Sequence, residues 1–216
     1  MRFKPTSNKK GVTLIELLVA LVICGIVTAG IYRLFIGQTR AYTVQDQVVE
    51  VQQNVRSAME ILLRDLRMAG YDSDKATSKI SIADPILPIA PGDHTVTINY
   101  EYDDTHRHEV TYSLNNRNLT RRLHIVPDVG PESDTTEIIL ENVDVLDFYF
   151  GVDDGDIGDD MNRWANNVAD ILASEKVVAV RVVLTAKPDQ TNPDVKNLVS
   201  PRTLTSAVTL RNQCLR

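Results

Sequence analysis

The sequence predicts an α+β protein. One long N-terminal helix, apolar in its first half and amphipathic in its second, is followed by an antiparallel β-sheet domain on which the second half packs. Three observations predict this. From Val12 to Tyr32 only Glu16 carries a side chain charged near neutral pH. Apolar side chains then recur every three or four residues to Ala69, with no proline between. Beyond that point, alternating and β-branched segments are separated by turn-forming clusters.

The first element begins with a basic leader containing Arg2, Lys4, Lys9 and Lys10, then Gly11, then the apolar run. At about 1.5 Å per helical residue the run spans roughly 30 Å, the thickness of bilayer hydrocarbon. An acid buried there costs on the order of 2.5–3.5 kcal/mol on insertion scales, so Glu16 needs a partner or a purpose. A cleaved secretory signal would need a small-residue site after the apolar core, yet Arg33, Leu34 and Phe35 follow Ile31. A lipoprotein site would need a small residue before Cys24, where Ile23 stands. A plain signal anchor fits the length and the positive leader, which would stay cytoplasmic, but gives Glu16 no reason. Cleavage between Gly11 and Val12, ahead of the apolar run, accounts for every feature.

The second half carries Ala41, Val44, Val48, Val51, Val55, Ala58, Leu62 and Ala69 along one stripe, flanked by Gln47, Glu50, Arg56, Glu60 and Arg64. Gly70, followed by turn-prone Asp72-Ser73-Asp74, is the expected stop. A helix from Val12 to Ala69 would be about 85 Å long. Gly25, Gly30 and Gly37 each weaken it by about 1 kcal/mol relative to alanine, and close helix packing is the favoured reason for keeping them.

Two stretches carry a resemblance. Gly11-Val12-Thr13-Leu14-Ile15-Glu16, behind its basic leader, resembles the cleavage and methylation motif of type IV prepilins and type II secretion pseudopilins. It departs from the usual motif in having Val12 where phenylalanine is common. Arg64-Asp65-Leu66-Arg67-Met68-Ala69-Gly70-Tyr71 and the C-terminal Leu204–Asn212 resemble PilW-type minor pilins and, more loosely, J-type minor pseudopilins. The resemblance implies a pilin-like fold and a division into a leader (1–11), a transmembrane and filament-core helix half (12–36), an amphipathic half (37–70) and a periplasmic globular domain (71–216). It also implies cleavage after Gly11 by a prepilin peptidase, N-methylation of Val12, and pairing of Glu16 with the N-terminal amine of a neighbouring subunit. Two charges stranded in an apolar medium are compensated by that pairing. The implied partners are other minor and major pilins, the peptidase and the inner-membrane assembly platform. The implied location is the inner membrane and then the pilus.

In the domain, Thr95–Tyr102 alternates so as to put Val96, Ile98, Tyr100 and Tyr102 on one face. Glu109–Leu114 and Leu119–Val126 flank Asn115-Asn116-Arg117-Asn118, a hairpin turn. Glu137–Leu140, Val143–Phe150, Lys176–Ala186 and Arg202–Leu210 complete the strands, and Asn162–Ser174 reads as a short helix.

The remaining candidates are few. The net charge of −6 becomes −10 without the leader, because 19 basic then face 29 acidic residues. That balance argues against nucleic acid as the main partner. Asp153, Asp154, Asp156, Asp159 and Asp160 surround two glycines in a patch that reads first as a solvated loop. Their oxygens would also suit Ca²⁺, although no EF-hand register fits. His106 and His108 share a strand face without a third ligand, so surface histidines are expected there rather than a metal site. Trp164 reads as a core or groove residue. Cys24 and Cys214 form no metal or redox motif. No nucleophilic triad, phosphate loop or bound cofactor is expected, and the chain reads as an interaction protein rather than an enzyme.

Overall fold

The computed structural model describes residues 11–72, 86–88, 94–155, 161–166, 170–172, 175–188, 191 and 193–214. The chain divides into two compact units, Met1–Gln45 and Asp46–Arg216. Helix α1 runs over Leu14–Met68. Within the first unit every residue from Gly11 to Thr43 is exposed.

The second unit holds nine strands among the described residues: β1 (Ile86–Pro88), β2 (Thr95–Asp103), β3 (His106–Asn115), β4 (Asn118–Pro127), β5 (Ser133–Leu140), β6 (Val143–Asp153), β7 (Arg163–Ala165), β8 (Lys176–Ala186) and β9 (Arg202–Thr209). Two short helices, α2 (Pro193–Leu198) and α3 (Arg211–Cys214), complete it. The strands form two antiparallel sheets rather than one, a five-stranded meander β1-β2-β3-β4-β5 and a four-stranded sheet β7-β6-β8-β9. This is the expected α+β architecture, a long N-terminal helix followed by an antiparallel β domain.

One core joins α1 to both sheets. Of the amphipathic stripe, Val51, Val55, Ala58, Leu62 and Ala69 are buried, joined by Met59, Leu63 and Leu66. They meet Val96, Ile98, Val110, Tyr112 and Leu119 from the five-stranded sheet and Leu146, Val180, Val182 and Leu184 from the other. Burial of each of the larger side chains contributes about 1.5–3 kcal/mol, and of each alanine methyl about 0.8 kcal/mol. The three- and four-residue spacing therefore becomes packing where the helix meets strands.

Local chemistry sets the turns. Between β3 and β4, Asn116 and Arg117 adopt φ of 48° and 65°, the left-handed pair of a two-residue hairpin turn that asparagine tolerates well. Gly70 has φ +73° and ends α1 in the left-handed conformation that glycine reaches without a Cβ penalty.

Three expectations are corrected. Asn162–Ser174 is not a helix at its start: Phe150 pairs with Ala165 and Gly151 with Trp164, so the β6 edge recruits β7 and a pairing partner overrides the helical pattern. Second, β2 is not a strand with one buried face, because Thr97, Asn99 and Glu101 are buried alongside Val96, Ile98 and Tyr100. Tyr102, expected on one face with Val96, Ile98 and Tyr100, is 66% exposed whereas those three are buried. Glu101 pairs with Arg107 and Asp103 with His106, which leaves Tyr102 as the unpaired residue of a bulge. Third, the two histidines differ, since His108 is buried whereas His106 is partly exposed.

Candidate functional site

The motif at the head of α1 is built from its own helix start. Thr13 precedes the first helical residue, and its carbonyl accepts the N–H of Leu17 at 3.2 Å. Its backbone N–H and its hydroxyl both donate to Glu16 Oε2 at 3.0 Å, and the Glu16 N–H donates to Thr13 Oγ1 at 3.4 Å. This is a capping box, in which a Thr and a Glu three residues on satisfy each other's backbone donors. Glu16 is therefore bound locally by the first turn, and its charge also suits the positive end of the helix. The Thr-x-x-Glu spacing was visible in the sequence as a start signal, a second reason for the acid besides an intersubunit partner.

Gly11 and Val12 lie ahead of the helix in no regular structure. A Cβ built on Gly11 meets nothing within 4 Å, so packing within the chain does not require glycine there. Beyond them, sixteen large apolar side chains between Val12 and Ile36 are exposed, Leu14 at 78% and Leu34 at 69% among them. A surface of that extent exceeds what soluble monomers leave open and has to meet lipid or other protein. The helix is long and apolar enough to cross a membrane. Cys24 is exposed on this stretch as a free thiol.

The other end of α1 holds a second carboxylate under opposite conditions. Asp65 is 4% exposed. Its Oδ2 accepts the Tyr112 hydroxyl at 2.8 Å and Arg121 Nε at 2.7 Å, and Arg121 Nη1 donates to Glu137 Oε1 at 3.1 Å. α1, β3, β4 and β5 are thus tied by one polar chain. Burial, and then the Asp65 charge, push the Tyr112 hydroxyl far above its ordinary value. Burial alone would lower Arg121, but its hydrogen bond to Asp65 and the carboxylate charge outweigh that and hold it above the ordinary guanidinium value.

The rest of the Arg64–Tyr71 stretch closes the same junction. Leu66 and Ala69 are fully buried, the Gly70 N–H donates to the Asn99 carbonyl at 2.8 Å, and the Glu101 N–H donates to the Tyr71 carbonyl at 2.8 Å. Asn212 Nδ2 donates to the carbonyls of Arg67 and Ala69, each at 3.3 Å. The two segments that carry the finer resemblance, at the end of α1 and at the C-terminal end, therefore touch.

Among the described residues no group of three or more His, Cys, Asp or Glu side chains is placed to hold a metal ion. Of the acidic patch, Asp153 Oδ1 accepts the Gly155 N–H at 3.0 Å, while Asp156, Asp159 and Asp160 lie outside the described residues. Trp164 is half-buried beneath the Arg181 guanidinium, whose carbon sits 4.0 Å from the ring centroid, a cation–π contact. The side chain of Cys214 is outside the described set.

Residues 6–32 match the family described as Prokaryotic N-terminal methylation motif. The chain matches no curated protein. Its N-terminus thus carries the prepilin-type methylation motif of type IV pilins and pseudopilins, a class processed by prepilin peptidase and assembled with other pilins. Such a motif implies a structural subunit rather than an enzyme, anchored in a membrane by its apolar helix.

Proposed function

We propose that this chain is a non-enzymatic minor pilin, PilW-type, that helps prime or cap type IV pilus assembly through subunit contacts. One observation carries the reading: a prepilin methylation motif heads a segment, Val12 to Ile36, that leaves sixteen large apolar side chains uncovered. Under this reading residues 1–11 are the leader, 12–36 the membrane and filament-core half, 37–70 the amphipathic half and 71–216 the periplasmic domain. Prepilin peptidase cuts between Gly11 and Val12, Val12 is N-methylated, and Glu16 offers its carboxylate to the amine of a neighbour. The chain waits in the inner membrane with the domain in the periplasm, then joins other minor and major pilins at the cell surface through the assembly platform. The same motif serves the minor pseudopilins of type II secretion, and co-purifying partners separate the two.

Mass analysis of the native N-terminus tests the proposal. The expected result is a mature chain beginning at methylated Val12; an uncut chain, or one beginning elsewhere, overturns it. Gly11→Ala should block cleavage, and because the added Cβ meets nothing within 4 Å, that block would report recognition by the peptidase rather than a damaged fold.

A further inference from the structure

The β2–β3 end of the five-stranded sheet carries a recess that the assembly reading does not use. Its volume is about 480 Å³, within the range of small-ligand sites. The bulge at Tyr102 forms one wall. Ordinary alternation would send this ring inward with Tyr100; the unpaired position turns it out instead, to 66% exposure. An exposed tyrosine is usually loose, but this one is braced. Its ring stacks on His108 with centroids 4.4 Å apart and planes 6° apart. His108 is buried and meets the Tyr100 ring edge-on at 5.4 Å and its hydroxyl at 3.3 Å. The three rings make a fixed platform, with one aromatic face of Tyr102 left uncovered by the stack.

Polar groups sit at the rim. Asp103 Oδ1 accepts the Thr105 N–H and the Thr105 hydroxyl, each at 2.9 Å, and meets His106 Nδ1 at 2.8 Å. The hydrogen bonds from the His106 ring and from the Thr105 N–H and hydroxyl hold the Asp103 carboxyl down to about 2. Three protein donors already occupy this carboxylate, so it does not call for a cation; the one other basic chain of the lining is His108, buried in its stack with Tyr102, and burial lowers its affinity for a proton. The floor, which includes Ile125 and Pro127, is apolar. A ligand suited to this surface has one apolar face for the ring, hydroxyls at its edge for the rim and no net charge. A purely apolar ligand would bury the Asp103–His106 pair without offering it a hydrogen bond, at a desolvation cost.

We propose that the recess binds a neutral carbohydrate, with a hexopyranose ring stacked on Tyr102 and its hydroxyls meeting the Asp103–His106 pair. The site stands apart from the methylation motif, so it is tested without reference to assembly. The full-length chain is held in polyoxyethylene detergent micelles, because a glycoside detergent would compete. Saturation-transfer NMR is run with the methyl glycosides of glucose, galactose, mannose and N-acetylglucosamine. Transfer to the ring C–H protons of at least one is expected. Tyr102→Ala should weaken its binding about tenfold, the upper range for one stacking contact, and Tyr102→Phe should keep it. His106→Gln, a change at the rim, should weaken it by a smaller factor. The wild-type circular dichroism spectrum in each variant confirms the fold, which an exposed ring does not support. No transfer from any of the four glycosides at millimolar concentration, or transfer untouched by Tyr102→Ala, overturns the proposal.

Discussion

Removing the Asp65 carboxylate should unfasten α1 from the five-stranded sheet. Asp65→Ala leaves the Tyr112 hydroxyl, in a fully buried residue, and an Arg121 side chain only 14% exposed without their shared acceptor. Breaking a buried pair from one side costs about 3–5 kcal/mol. Arg121 keeps Glu137, but that carboxylate is 53% exposed and such a contact is worth at most about 1 kcal/mol. Arg64 also approaches Asp65, at 3.5 Å, yet its side chain is 68% exposed and contributes little. The expected loss is therefore about 3 kcal/mol, the lower end of the range, because Glu137 relieves part of the stranded charge. Tyr112→Phe removes one donor and leaves the ion pair, so about 1.5 kcal/mol is expected. The two losses should not add, since both changes act on one oxygen. Urea unfolding of the full chain in detergent, followed by the fluorescence of Trp164, the one tryptophan, measures both single variants and the double variant. The hydroxyl also supplies a sign. Its folded value lies above the ordinary 10.0, so it contributes stability below pH 10 that is lost as pH rises further. That alkaline loss should vanish in Tyr112→Phe. A cost below about 1 kcal/mol for Asp65→Ala would refute the clamp.

Three other outcomes follow from the same geometry. Burial, and next the charge of His106, lower His108 below its ordinary 6.5. The unfolded chain therefore takes up the proton first, so stability should fall as pH drops from 6.5, and His108→Gln should flatten that slope in pH-dependent unfolding. Gly151→Ala would put a Cβ 2.6 Å from Met161 Sδ and 3.0 Å from Ala179 Cβ. A thermal melt should show a loss of about 1–3 kcal/mol, and adding Met161→Ala should recover only part, because Ala179 is fixed in β8. Glu16→Ala should leave the protein in the membrane fraction yet remove it from sheared filaments; normal filament incorporation, read by immunoblot, would remove the assembly role.

How far the sequence revealed these features depended on the range of the interactions that set them. Lys176–Ala186 is read to the residue, because a long β-branched run has no competing local structure. The end of α1 is read to within one residue from Gly70, and the Asn116-Arg117 turn from its asparagines, since a left-handed residue is a local demand. Trp164 and Ala165 went wrong for the opposite reason: their helical spacing is local, but the β6 edge that captures them is not. The Tyr102 bulge is likewise invisible, because it arises from the pairing of β2 with β3. Asp65 was legible only as a letter in Arg-Asp-Leu-Arg; its partners stand 47 and 56 residues away.

Glu16 and Asp65, near the two ends of α1, carry the last step. Both are acids of α1, and each is satisfied, but by different means. Asp65 is held from outside its helix by the buried Tyr112 hydroxyl and the largely covered Arg121 guanidinium, so any exchange of partners would first strand both donors. Glu16 is held by a threonine three residues away, and both of those bonds fall on Oε2, while Oε1 has no partner among the described residues. A neighbour's amine could take Oε1 without breaking the cap, or replace a cap worth about 1 kcal/mol. An acid at a fixed junction needs the first arrangement, and an acid that waits for an incoming charge needs the second. The capping box thus supports the assembly role proposed for Glu16, because it keeps the carboxylate satisfied beforehand and leaves it cheap to re-engage. Thr13→Val separates the two functions. It removes the hydroxyl that links cap and acid while leaving the carboxylate, so filament incorporation should persist if Glu16 acts through the neighbour. If incorporation fails as completely as in Glu16→Ala, the cap itself is the function and the pairing is not.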